Sequence, residues 1–145
     1  MAYSGRFFPK NPKKYVGDVT NIWYRSLWER KTMDWFDLNE NVLEWSSEEL
    51  VIPYLSPIDN KYHRYFPDFV AKIRTKNNLT QRFVIEVKPE KQTKPPQKAN
   101  RATKRIINEI ATWGINEAKW KAAREFCEDR GWNFKIITEK ELNIK

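Results

Sequence analysis

The run Phe83-Val84-Ile85-Glu86-Val87-Lys88 ends with an acid and a base two residues apart. Side chains alternate faces along a strand, so Glu86 and Lys88 share one face while Ile85 and Val87 take the other. A second carboxylate, Asp68, lies in Tyr65-Phe66-Pro67-Asp68-Phe69-Val70, where an unpaired charge among aromatics is costly to desolvate. A hard divalent cation shared by Asp68 and Glu86 would compensate it, because Mg2+ takes oxygen ligands and keeps waters and a phosphate oxygen in its shell. Such a metal polarises a phosphate and lowers the pKa of a bound water. Lys88 could then orient the nucleophile and offset charge developing on the phosphate. The chemistry indicated is phosphodiester hydrolysis by in-line attack. The same three residues also fit a plain ion pair in an ordinary sheet, with Lys88 neutralising one of the acids, and spacing alone does not separate the two readings.

The elements that would position these groups are legible in the periodicity. From Thr20 to about Leu38, apolar residues recur at three- and four-residue spacing, which predicts an amphipathic helix stopped at Asn39 to Asn41. Val42 to Trp45 and Leu50 to Leu55 read as short strands, and Ser56-Pro57-Ile58-Asp59-Asn60 as a hairpin turn. Arg64 to Ile73 reads as a strand carrying Asp68. Thr80 to Val87 reads as the next, joined to it by Asn77-Asn78 and ended by Pro89, which lacks the ladder donor. A long helix is expected from about Arg101 to Asp129, with Gly114 as a potential break and Gly131 as its cap. The strand Asn133 to Ile137 follows, and Thr138-x-x-Glu141 opens a short last helix as a capping box. This order implies an α/β domain with a mixed sheet and helices on its faces. Residues 1–18 are expected to form an extended basic arm and residues 19–145 a single domain, without repeats or long linkers.

The chain has 145 residues, a formal charge of +8 and seven tryptophans. That length suffices for one core without cross-links. Its one cysteine, Cys127, permits neither an intramolecular disulfide nor a thiolate zinc site, and suits a cytoplasmic compartment. No apolar run approaches the ~20 residues of a membrane span, and the first fourteen residues lack a signal-peptide core, so no membrane association or export is expected. The positive balance makes a polyanion the first partner to test. It is concentrated in Lys88, Lys91, Lys94, Lys98, Arg101, Lys104 and Arg105, opposed there only by Glu90, with a smaller cluster of Arg6, Lys10, Lys13 and Lys14 in the arm.

Pro67-Asp68 followed by Glu86-Val87-Lys88 in the next strand resembles the PD-(D/E)xK signature of the restriction-endonuclease-like fold. That resemblance implies a mixed central β-sheet flanked by α-helices. A closer one covers nearly the whole chain: Met1-Ala2-Tyr3-Ser4-Gly5, Tyr24-Arg25-Ser26-x-Trp28-Glu29, Val51-Ile52-Pro53-Tyr54, Arg64-Tyr65-Phe66, Ile85-Glu86-Val87-Lys88-Pro89 and Lys119-Trp120-Lys121-Ala122-Ala123. Together these resemble the head completion nucleases of T4-type tailed phages. The resemblance implies a Mg2+-dependent deoxyribonuclease, Mn2+ substituting, that acts on packaged phage DNA before heads join tails. It implies a metal shell of Asp68, Glu86 and the backbone carbonyl of Val87, with Glu29 on the first helix as a further acid. Implied partners are DNA, head, portal or neck proteins and a second copy of the chain; the implied setting is the cytoplasm of an infected cell or the virion itself. Two alternatives stay open: a non-catalytic DNA-end or portal-binding protein that keeps the fold, and a TnsA-like transposition endonuclease. The latter would need a companion recombinase, and the short chain without an added DNA-binding domain argues against it.

The remaining candidates divide more simply. Ser26-x-x-Glu29 could be a capping pair, or Glu29 a solvated residue beside Arg25 and Arg30, as well as a catalytic acid. His63, the only histidine, reads as a solvent-facing hairpin residue. Asn116 and Lys119 read as a surface pair on an amphipathic helix, and Trp113 and Trp120 as core. Lys91, Lys94, Lys98, Arg101 and Lys104 leave the strand beside the catalytic pair and are the expected contacts to DNA phosphates.

Overall fold

A computed structural model describes residues 3–98 and 100–142. Met1 and Ala2 of the quoted opening therefore lie outside the described residues. In chain order the elements are β1 (Gly5–Arg6), β2 (Trp23–Tyr24), α1 (Leu27–Leu38), β3 (Val42–Ser47), β4 (Ile52–Leu55), β5 (Tyr62–Tyr65), β6 (Phe69–Arg74), β7 (Thr80–Val87), α2 (Lys104–Arg130), β8 (Asn133–Ile137) and α3 (Glu139–Leu142). The central sheet runs β3-β6-β7-β8, antiparallel except for the parallel β7–β8 pair that α2 connects. Two-stranded ribbons β1–β2 and β4–β5 flank it. This is the mixed sheet with helices that the sequence implies. No helix among the described residues is long and apolar enough to cross a membrane.

Alternation along the strands gives the sheet two apolar faces. One buries Phe69, Ala71, Ile85 and Trp45 with Met33 and Phe36 of α1. The other sets Trp120 and Ala123 of α2 against Ile52, Tyr54 and Tyr65, with Phe134 and Ile136 of β8 alongside. Even indices of β7 face α2, which puts Glu86 on that side between two aromatic donors described below.

The strands read as Val42 to Trp45 and Leu50 to Leu55 run Val42–Ser47 and Ile52–Leu55, and three further elements differ from the sequence reading, each for a local reason. The first helix begins at Leu27 rather than near Thr20. Ser26 adopts extended backbone (φ −154°, ψ 163°) and its hydroxyl accepts from Glu29 N at 3.2 Å, while Trp23–Tyr24 pairs with Gly5–Arg6. The strand expected over Arg64 to Ile73 is two strands in two sheets. Tyr62–Tyr65 pairs with β4 and Phe69–Arg74 with β3 and β7, and the crossing occurs at Phe66-Pro67-Asp68, where proline cannot donate to a ladder. Asp68 is thus placed by the end of a crossing rather than from within a strand. The long helix starts at Lys104, because Thr103 accepts from Ile106 N, and passes through Gly114 without a break. It ends as expected at Gly131 (φ 69°), with Trp132 N donating to Cys127 O at 2.8 Å. The Thr138–Glu141 box also forms, Thr138 N donating to Glu141 Oε2 at 2.7 Å.

The basic arm, read from sequence as a tail, is seated on the domain. Phe7 and Tyr15 enter the α1-side core. Lys10 N and Asn11 N donate to the Asp37 carboxylate at 2.8 and 2.9 Å. Lys14 Nζ donates to the carbonyls of Phe36, Asp37 and Asn39 at 3.3, 3.0 and 2.7 Å, a cation on the negative end of α1.

Candidate active site

Glu86 stands near the end of β7, in the middle of the sheet, and is buried. Its Oε2 accepts from Tyr65 Oη at 2.5 Å and from Trp120 Nε1 at 3.3 Å. The β5 and α2 residues that look like plain core therefore fix the orientation of this carboxylate. Burial first, and then the negative Glu86, push the Tyr65 phenol far above the ordinary tyrosine range, so it remains a donor.

Asp68 meets the same spot from the crossing into β6. Its Oδ2 accepts from Val87 N at 2.7 Å, a side-chain bond that continues the β6–β7 ladder one step past Phe69↔Ile85. Burial raises the Asp68 carboxyl well above its ordinary range. The Glu86 charge and a hydrogen bond with it add to the rise, the Val87 N–H opposes it, and the more distant Glu29 contributes a smaller increment. Among the described residues no cationic side chain lies within 4.0 Å of either acid.

Lys88 follows on the same face, half-buried, its backbone N–H bonded to Ile137 O at 2.9 Å. It lines the same cavity as the two acids, yet it forms no ion pair with them. The reading of Lys88 as a simple neutralising partner is therefore not what the geometry displays. The cavity measures about 680 Å³ and is open to solvent on one side.

Arg25, Glu48, Arg64 and Phe66 also line the cavity, together with Asn116 and Lys119 of α2. Asn116 and Lys119, read from sequence as a surface pair, face the site instead. The Lys119 ammonium lies over the rings of Tyr54 and Tyr65, at 5.7 and 5.6 Å from their centroids. Arg25 holds Glu48 in a two-point fork, Nε–Oε1 3.0 Å and NH2–Oε2 3.1 Å. Glu48 adopts the left-handed region (φ 55°), and its N–H donates to Asp68 O at 3.1 Å. Arg25 and Glu48 were missed as site residues. The three-residue helix spacing singles out Asn116 and Lys119 in the sequence without saying what they face; nothing in Ser46-Ser47-Glu48-Glu49 marks Glu48.

Glu29 sits behind the wall. It forms the capping-type pair with Ser26 given as one alternative, Glu29 N donating to Ser26 Oγ at 3.2 Å, while its Oε1 accepts from Arg25 N at 3.3 Å, one residue before the cap. Burial raises its carboxyl, with Arg25 N–H opposing and the charges of Glu48 and Glu86 adding to the rise, so it belongs to the electrostatic surroundings of the pair. Lys91, Lys94, Lys98, Arg101 and Lys104 are all exposed beyond Lys88, outside the cavity wall, with Lys94 3.6 Å from Glu90. His63 is exposed and pairs with Asp59 at 2.7 Å, as a hairpin residue. Trp120 is buried and Trp113 packs edge-on against it at 5.9 Å, both in the core as expected.

The donor chemistry suits a hard cation. Among the described residues no group of three or more acidic, histidine or cysteine side chains could hold a metal by itself. The Asp68–Glu86 pair would be completed by backbone, water or phosphate oxygens, which is the habit of Mg2+.

Two comparisons bear on this arrangement. The family model for TnsA-like endonuclease N-terminal domains matches residues 39–139, a span that includes Asp68, Glu86 and Lys88 but not Glu29. The head completion nuclease of Enterobacteria phage T4 is 47% identical over 146 aligned positions, covering 98% of this chain and 95% of that protein. The TnsA-like and head-completion likenesses, set against one another in the sequence, are thus complementary: one describes the domain, the other a relative nearly its full length. The chain belongs to the TnsA-like endonuclease domain family, of restriction-endonuclease-like fold, and is similar nearly end to end to a phage head completion nuclease.

Proposed function

We propose that the protein is a metal-dependent deoxyribonuclease that hydrolyses phosphodiester bonds, with Asp68, Glu86 and Lys88 at its centre. The observation that carries this reading is a largely buried acid pair at the wall of an open cavity, oriented by neutral donors and left without a counter-cation among the described residues. Two such carboxylates offer oxygen donors to Mg2+, with Mn2+ as a substitute, and the carbonyl of Val87 at the strand end adds another. Such an ion supplies Lewis acidity toward a phosphate oxygen and an acidified water.

The chain's own groups do the rest. Tyr65, Trp120 and Val87 N–H hold the two carboxylates ready, so little reorganisation is needed as charge develops. Lys88, without a carboxylate partner among the described residues, keeps its ammonium for the scissile phosphate and the attacking water. Lys119 extends the positive wall to a neighbouring phosphate, a contact that positions a strand without reading its sequence. Glu29 serves as a further acid behind the pair. Lys91, Lys94, Lys98, Arg101 and Lys104 provide the outer backbone contacts.

The likeness to the T4 protein supports a place at head completion. The substrate is then packaged phage DNA before heads join tails, in the cytoplasm of the infected cell or on the particle, with head, portal or neck proteins and a second copy of the chain as partners. The test is incubation of purified protein with circular and linear DNA, with and without Mg2+, beside Lys88→Ala. Cutting by the wild type only with Mg2+ is expected. A wild type that binds DNA but cuts neither form, in Mg2+ or Mn2+, overturns the assignment in favour of a non-catalytic DNA-end protein.

A further inference from the structure

Phe66 lines the cavity with an aromatic ring that the hydrolytic reading leaves unused. It is 44% exposed and lines the cavity two residues ahead of Asp68. Its neighbours on both sides are anchored: Tyr65 is 3% exposed and bonded to Glu86, and Pro67 is fully buried. The ring is therefore presented from a fixed backbone, and ordering it on a ligand costs little entropy. The Arg64 guanidinium lies 5.9 Å from the ring centroid and, among the described residues, pairs with no carboxylate.

A flat apolar ring and an unpaired guanidinium, beside a site that takes a phosphate, match a flat π-rich group carried by that phosphate. In nucleic acid this group is a nucleobase, which stacks on aromatic and guanidinium faces regardless of its identity. Inside a continuous duplex both faces of each base are covered by its stacked neighbours, so an interior base can use this ring only when unpaired. We propose that Phe66, with Arg64, is a stacking platform for an unpaired nucleotide beside the scissile phosphate. The substrate class of the site is then DNA with a frayed end, a single-stranded extension or a gap, rather than continuous duplex. This rests on the nuclease reading for the position of the phosphate, but the stacking itself can be measured without cleavage.

The test uses the full chain and two 2-aminopurine DNAs of equal length, one carrying the probe in a single-stranded extension at a duplex end and one carrying it paired inside a blunt duplex. Binding is followed in EDTA by anisotropy and by 2-aminopurine fluorescence, and cleavage is followed separately in Mg2+. Wild type is expected to bind the extension more tightly and to quench its probe. Phe66→Ala should weaken binding of the extension by roughly five- to 150-fold relative to the blunt duplex, and abolish the quench. Phe66→Trp should restore both; circular dichroism shows whether each variant is folded. Equal weakening on both DNAs, or a quench that survives Phe66→Ala, overturns the platform. Absence of any preference in the wild type overturns it as well. Quenching without cleavage in any metal would retain the platform and remove the nuclease reading, whereas metal-dependent cutting of both DNAs alike without quenching would do the reverse.

Discussion

The Asp68 and Glu86 carboxylates stand against each other at the ends of two neighbouring strands, one tied to Val87 N–H at 2.7 Å and the other to the Tyr65 hydroxyl at 2.5 Å, with no cation within 4.0 Å among the described residues. A native state that resists ionising Asp68 binds more protons than the unfolded chain, which ionises near the ordinary aspartate pKa of about 3.9. Stability without metal should therefore fall as pH rises above about 4, through the raised native pKa of Asp68; Glu29, raised as well, works in the same direction. Asp68→Asn should flatten that decline and raise Tm in EDTA at neutral pH. Thermal melts of both proteins across pH check this, and an unchanged pH profile in the variant would remove the coupling.

Glu86→Gln keeps an oxygen for Tyr65 and Trp120 while removing the charge. The variant should stay folded and bind DNA, yet cut none, and Mg2+ should no longer raise its Tm as it does for the wild type. Melts with and without Mg2+, run beside a cleavage assay, separate this from simple misfolding.

Lys88 pairs with no carboxylate among the described residues, so its ammonium is expected to act most on the transition state, where negative charge accumulates. Lys88→Ala should retain DNA and metal binding and lose on the order of two to four powers of ten in rate. Lys88→Arg should recover little, since a planar fork does not fill the place of a compact ammonium. Single-turnover kinetics at saturating protein decide the matter. A variant that loses binding but keeps its single-turnover rate would make Lys88 a phosphate anchor.

The two cationic clusters should behave differently. Replacing Lys91, Lys94 and Lys98 with Gln should weaken DNA binding uniformly across sequences and reduce the salt-dependence slope by about one unit for each phosphate no longer neutralised. Lys14→Met should leave that slope alone, because Lys14 Nζ is bonded to three carbonyls at the end of α1. It should instead lower stability by about 1–2 kcal/mol, the scale of a well-placed cation at a helix C-terminus. Denaturant titrations and salt series on the two variants test both halves.

The shared face of Glu86 and Lys88, most strands and the C-terminal stops of the helices were legible in the sequence because each rests on local physics. Alternation puts Glu86 and Lys88 on one face. Gly131 supplies the left-handed cap, and Thr138 with Glu141 closes a box within one turn. What the sequence left undecided depended on residues far apart along the chain. Pro67 could be read as a strand residue until two different sheets were found to claim its neighbours, and this crossing is what carries Asp68 to the end of β7. Arg25, Glu48, Asn116 and Lys119 carry no spacing relative to Asp68 or Glu86, and only the seating of α1, β3 and α2 around β7 brings them to one wall. The arm's cations looked free because composition counts charge without its partners, and Lys14 found its partners on α1, over twenty residues away. Periodicity fixes which face a side chain takes. Only tertiary contact decides what that face meets, since long-range burial and hydrogen bonding outweigh local preference once the sheet closes over them.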